Sequence, residues 1–168
     1  MTAVSFRALF LVFTFYAMSS CSSDNSELPK SNAALSQKIV DYTYNSSEIE
    51  TMNLINTYRV SIGLNSLAKI NYISLKSEEH DNYMIINNVV DHYDFIVRSE
   101  SIMNVLGAKS VSENIAYNYT SSQSVLNAWL ASPEHKKNIE GDFTHFGIAI
   151  RADPASGKKY YTNIFAKI

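Results

Sequence analysis

One cysteine, three prolines and five glycines among 168 residues close off several architectures at once. A lone thiol cannot form an intrachain disulfide or a multi-cysteine zinc or iron–sulfur site, so stability must come from packing. Collagen-like and linker-rich chains need far more glycine and proline. Charge is sparse as well, with 18% charged residues and a formal net charge of -2. Nucleic-acid binding leaves a basic footprint that this chain lacks, so nucleic acid is not among its expected partners. There is no internal repeat, no phosphate-binding glycine loop, no Gly-x-Ser-x-Gly elbow and no His-Glu-x-x-His. What the chain does have is 46% apolar residues, enough to pack one domain.

The first 20 residues read as a leader. Arg7 precedes a run from Ala8 to Met18 that is apolar except for Thr14. The run is too short for a bilayer core, which takes about 20 residues, and suits the h-region of a signal peptide. Met18, Ser19, Ser20 and Cys21 then look like a bacterial lipobox, with cleavage before Cys21 and a lipid on its thiol. Residues 21–47 form a lipidated, mostly polar tether to a domain spanning residues 48–168. This places the protein in the cell envelope, anchored to a bacterial membrane through Cys21, on the periplasmic or the surface face. In that setting the sequons at Asn45 and Asn118 are coincidental.

Within the domain, Ile49, Met52, Leu54, Ile55, Tyr58 and Ile62 recur at helical period, so Glu48 to Ser61 is expected to be a helix stopped by Gly63. A second helix is expected from about Tyr72 to Ile86, and a shorter one from Arg98 to Leu106, closed by Gly107. Thr120 with Gln123 forms a capping-box pattern before Val125, Leu126, Trp129 and Leu130, and Pro133 ends that helix. From Phe146 to Arg151 the period becomes two, Asp153-Pro154 and Gly157 supply a turn, and Tyr160 to Phe165 returns as a strand. The class is α+β.

Histidines stand at 80, 92, 135 and 145, and their spacing makes no local metal motif. His80 and His145 are expected to serve packing or solvation. Two segments look unlike plain scaffold. Glu113-Asn114-Ile115-Ala116 sets a carboxylate and an amide beside apolar residues, and a carboxylate at a core edge needs a charged or hydrogen-bonding partner. Ser132-Pro133-Glu134-His135 follows the Trp129 helix, where a polar side chain can turn into a cleft. Eleven tyrosines offer rings that join apolar area to a polar tip.

In order along the chain, these segments resemble the bacterial branch of the CAP superfamily, the SCP-like extracellular domain. That superfamily includes cysteine-rich secretory proteins, antigen 5 and plant pathogenesis-related proteins. The resemblance runs from Ile49 to Phe165 and rests on Asn56 with Arg59, Gly63 and Leu67, then Ser77, His80, Met84 and His92. Glu113-Asn114-Ile115-Ala116, Trp129, Ser132-Pro133, His135, Asn138 and Gly147 complete it. It implies a three-layer α-β-α sandwich with a central antiparallel sheet and a cleft where histidines and acids converge. His92 matches the first cleft histidine, Glu113 the first acid and His135 the second histidine. The second acid's position holds Ser132, so the set is incomplete.

With that resemblance, the cleft is expected to contain His92, Glu113, His135, Ser132 and Asn114. His92, His135 and Glu113 could hold zinc or another divalent metal with a water in the fourth position. The alternative is a hydrogen-bonded network in which Glu113 fixes imidazole tautomers. The resemblance implies no established reaction. The leading expectation is a lipid-anchored module that binds a lipid, glycan, peptide or metal in the cleft. A metal-assisted peptidase or cell-wall hydrolase and a purely structural or adhesive surface protein are the alternatives.

Overall fold

Helix α1 (Ser46–Ser61) begins inside the stretch expected to be tether, because Asn45 caps it. The Asn45 side chain accepts from the Glu48 backbone N–H, and Glu48 reaches back to the Asn45 N–H, a reciprocal box that satisfies two orphan donors. The computed structural model describes residues 40–168. The leader, Cys21 and the tether up to residue 39 lie outside the described residues. Tyr42, Tyr44 and Asn45 pack against the fold, so the folded unit starts ahead of Glu48.

Next come β1 (Ala68–Lys69), α2 (Asn71–Asn87), α3 (Phe95–Leu106), β2 (Ser110–Tyr117), α4 (Ser122–Ala131), α5 (Pro133–Ile139), β3 (His145–Ala152) and β4 (Lys159–Lys167). One expectation is corrected, one is extended, and one segment gains an element. The cap of α4 is Ser121 with Ser124, one residue beyond the Thr120–Gln123 pattern. Pro133 ends α4 and also opens α5, since a proline at the first helical position forfeits no hydrogen bond. The Glu113 segment, read without a secondary structure, is strand β2.

The sheet order is β1-β3-β4-β2, antiparallel except for the two-residue β1, which runs parallel to β3. Pairing of Phe146 with Phe165 and of Ile150 with Tyr161 sets one face, which packs on α1, α4 and α5 through Met52, Ile55, Trp129 and Ile139. The other face carries Ile164 and Ala166 against Tyr72, Ile73, Ile102 and Leu106 of α2 and α3. The result is an α-β-α sandwich, and its centre is buried on both sides. For that reason β4 is buried without alternation from Tyr160 to Ala166.

The helices facing this sheet are less apolar than periodicity suggested. In α1, Ile49 is exposed, as is Ile62 just past its end, while Glu48, Thr51 and Arg59 are buried. Arg59 donates to the carbonyls of Asn65, Ile139 and Gly141, gathering the α5 terminus onto α1. Asn56 exchanges two hydrogen bonds with the Leu67 backbone. On α2, Asp81 accepts from the Thr162 hydroxyl of β4 at 2.7 Å. Burial pushes the Asp81 carboxyl well above its ordinary value, and that hydroxyl offsets only part of the rise.

Gly147 lets α2 lie directly on β3. A Cβ there would sit 2.4 Å from the Ser74 nitrogen and 2.6 Å from the Ile73 carbonyl carbon, both backbone atoms that cannot swing aside. Gly147→Ala should therefore destabilise the fold by about 3 kcal/mol through overpacking. Urea denaturation measures this, and a cost below about 1 kcal/mol would mean that α2 rides up freely.

Candidate functional site

Alternation along β2 sends Glu113 and Asn114 to opposite sides of the sheet. Glu113 shares its register with Ile164 and faces the α2–α3 layer, whereas Asn114 pairs with Asn163 and faces the α4–α5 layer. The two expected cleft residues therefore do different work. Fully buried Asn114 donates to the His135 carbonyl at 2.9 Å and accepts from Asn138 at 2.8 Å, which docks α5 on the sheet edge.

Glu113 is the centre of the site. Arg98 grips it with a two-pronged contact, Nε to Oε2 at 3.0 Å and Nη2 to Oε1 at 2.8 Å. His92 Nδ1 lies 2.8 Å from Oε1, and His80 Nε2 lies 3.9 Å from the same oxygen. Burial pushes the Glu113 carboxyl up, but the hydrogen bonds from His92 and Arg98 and the Arg98 charge outweigh it, leaving the group below its ordinary value. A charged carboxylate only accepts, so Nδ1 of His92 carries a proton, and in the neutral ring Nε2 is the acceptor. The His92 side chain is 48% exposed, so the imidazole stands at the surface with Nδ1 turned to the buried carboxylate.

Sequence reasoning set His80 aside and did not single out Arg98. His80 is 1% exposed, and its Nε2 donates to the Asp91 carbonyl at 2.8 Å. Burial holds its imidazole below the usual value and therefore neutral. The requirement that a buried carboxylate find a cation was the signal for Arg98, but no spacing rule connects positions 98 and 113.

His135 sits on α5, half-buried. Burial, then the charge of His92, lowers its pKa, which puts the two histidines within electrostatic reach. Ser132 joins α4 to α5, its N–H donating to the Ala128 and Trp129 carbonyls and its own carbonyl accepting from Lys136. No hydroxyl or thiol among the described residues is hydrogen-bonded to His92. Nor, among the described residues, do three His, Cys, Asp or Glu side chains gather there as a metal ion would require. With both Glu113 oxygens engaged, the site as folded does not fit a metal.

The family model for the cysteine-rich secretory protein family, CAP, matches residues 52–165. Over 128 residues the chain is 30% identical to the uncharacterized membrane protein YlbC of Bacillus subtilis, with 72% of this chain and 34% of that protein covered. The chain thus spans about a third of that curated relative. An outer surface protein of Borrelia burgdorferi superposes with a TM-score of 0.63 at 18% identity, over 76% of this chain and 98% of that one. An SCP-domain extracellular protein of Bacillus anthracis gives 0.65 at 24% identity, over 74% and 41%. These two structural likenesses are likenesses of fold.

Three measurements follow from the Glu113 cluster. Its depressed pKa means that its contribution is complete above the ordinary value of 4.5 and drains away as pH falls through the lower folded value. The stability gap between the wild-type chain and Glu113→Gln should accordingly be widest above pH 4.5 and narrow below it. Arg98→Ala, which leaves the carboxylate bare, should cost about 3–5 kcal/mol. A gap that stays constant on acidification would mean that Glu113 carries no charge. Zinc titrated calorimetrically near neutral pH should show no site tighter than about 10 µM. Such a site, lost in His92→Ala/His135→Ala, would restore the metal cleft.

Proposed function

The chain belongs to the cysteine-rich secretory protein (CAP) family, and from that membership we propose an extracytoplasmic binding module tethered to a bacterial membrane by lipid on Cys21. The outer-surface, extracellular and membrane descriptions of its relatives support the envelope setting. Ligand meets the protein at the mouth where His92 and His135 stand, beside Ser132. One observation carries this reading: the His92 imidazole is exposed and held at Nδ1 by a buried carboxylate, which in the neutral ring leaves Nε2 to accept from a ligand donor. Hydroxyl and amide N–H groups are the complementary chemistry, so glycans, peptides and hydroxylated lipid headgroups form the candidate set.

A hydrolase reading shares the His92–Glu113 pair, which has the form of a base held by an orienting carboxylate. Among the described residues no nucleophile is hydrogen-bonded to that base. Adhesion without a cleft ligand is disfavoured because a purely structural imidazole has no need of an exposed acceptor.

Titration of the protein with muropeptides, casein-derived peptides and phosphatidylglycerol vesicles, followed by NMR, tests the proposal. The expected result is saturable shifts from one of these probes, weakened at least tenfold in His92→Ala with little change in melting temperature. Equal binding by the variant would remove the cleft from the function. Probe cleavage that His92→Ala abolishes would make the protein an enzyme. Cys21→Ala should release the chain from membranes in fractionation, and unchanged membrane retention would end the lipid-anchor reading.

A further inference from the structure

β1 is an outer strand, and part of its free edge is left unclosed among the described residues. Ala68 and Ile70 donate to the Thr144 and Phe146 carbonyls on the β3 side. Peptide groups alternate in direction along a strand, so the Lys69 N–H and C=O between them point outward. Neither has a partner among the described residues, and Lys69 is exposed. Further back on the same edge, the Leu67 N–H and C=O are both taken by the Asn56 side chain. The open edge is therefore a single residue wide.

Beside it a cavity of about 200 Å³ lies between α1 and β1. Met52, Leu67 and Phe146 form its apolar floor, and Ile49, 45% exposed, stands at the rim. Lys69 pairs with Phe146 in the ladder and lines the same cavity, in which no carboxylate stands. The Lys69 ammonium lies 4.3 Å from the centre of the Tyr44 ring, a contact that leaves its charge unmatched. It has no acidic partner among the described residues, unlike Lys76, Lys136 and Lys167. An outward peptide group, an unmatched cation and an apolar hollow thus meet at one point.

We propose that this notch binds the C-terminal residue of an extended peptide. Two residues opposed in an antiparallel pair can exchange both hydrogen bonds. The last N–H of the guest donates to the Lys69 carbonyl, and one oxygen of its carboxylate accepts from the Lys69 N–H. The Lys69 ammonium complements the carboxylate charge. Opposed side chains share a face of the sheet, so the terminal side chain of the guest enters the hollow, which suits Val, Leu or Ile. An internal segment paired in this sense would run on into Asn56, and a free N-terminus would bring a second ammonium to Lys69. β1 and β2 are opposite edges of the sheet, so the notch is separate from the His92–Glu113 site and stands without it.

Calorimetric titration of the full chain with acetyl-Thr-Thr-Val bearing a free carboxylate, and with its C-terminal amide, tests the proposal. The acid should bind at least about tenfold more tightly than the amide. Lys69→Gln should abolish that margin, while Lys76→Gln and His92→Ala should preserve it. Bound acid should also slow hydrogen exchange of the Lys69 amide at least about tenfold by NMR, a protection that charge attraction alone does not give. Equal affinity for acid and amide, no saturable binding of either, a margin that survives Lys69→Gln, or unchanged exchange at Lys69 would each overturn the inference. Acetyl-Thr-Thr-Asp-amide binding as tightly as the acid would overturn the terminal carboxylate. Self-association of the chain that Lys69→Gln abolishes would overturn the peptide occupant in favour of a second copy.

Discussion

A sheet covered on both faces has only its edges through which to meet solvent, and in this protein side chains close much of both. On the outer edge of β2, the Trp129 indole donates to the Ile115 carbonyl and Asn138 to the Glu113 carbonyl. On β3, beyond the two residues paired with β1, Ser74 and Glu48 meet the N–H groups of Ile148 and Ile150. Tyr42 and Asn45 donate to the corresponding carbonyls. Unpaired edge groups invite pairing with other chains or cost stability when buried, so these polar side chains are as structural as any leucine. They also explain why so much polarity enters the helices: the residues that close the edges must come from the layers above and below.

This accounts for what could be read in the sequence. The closing hairpin was legible because β3 and β4 are bounded by turn residues and rich in β-branched and aromatic side chains. The stops at Gly63 and Gly107 were legible because a left-handed backbone at a helix end calls for glycine, and both adopt positive φ. The start of α1 was missed because Asn45 was read as part of a polar tether, although Asn-x-x-Glu is a capping pattern. β2 was missed because its residues answer to both layers, so no apolar–polar alternation marks it. Hydrophobic periodicity failed on α1 and α2 wherever a polar side chain was buried with a partner distant in sequence.

The candidate site was legible in part. His92 and Glu113 do meet, as the family resemblance implied, and His135 stands nearby. Asn114, adjacent in sequence to Glu113, belongs to the opposite layer, a consequence of strand geometry that no reading without β2 could reach. Arg98 could not be paired with Glu113 by spacing, since the pair closes across a helix and a turn. His80 illustrates the weakness of residue-by-residue expectation. Its burial looks like ordinary packing until the hydrogen bond to Asp91 shows which nitrogen is left bare.

The opposed directions of Glu113 and Asn114 carry one more implication. A one-residue slip of β2 would hand the carboxylate to α5, where it would meet carbonyl and amide groups, and would leave Arg98 facing an uncharged side chain. Both mistakes bury mismatched polar groups at once, on two sides of the same strand. Two neighbouring residues thus act as a checksum on the pairing, penalising a misthreaded edge strand from both layers.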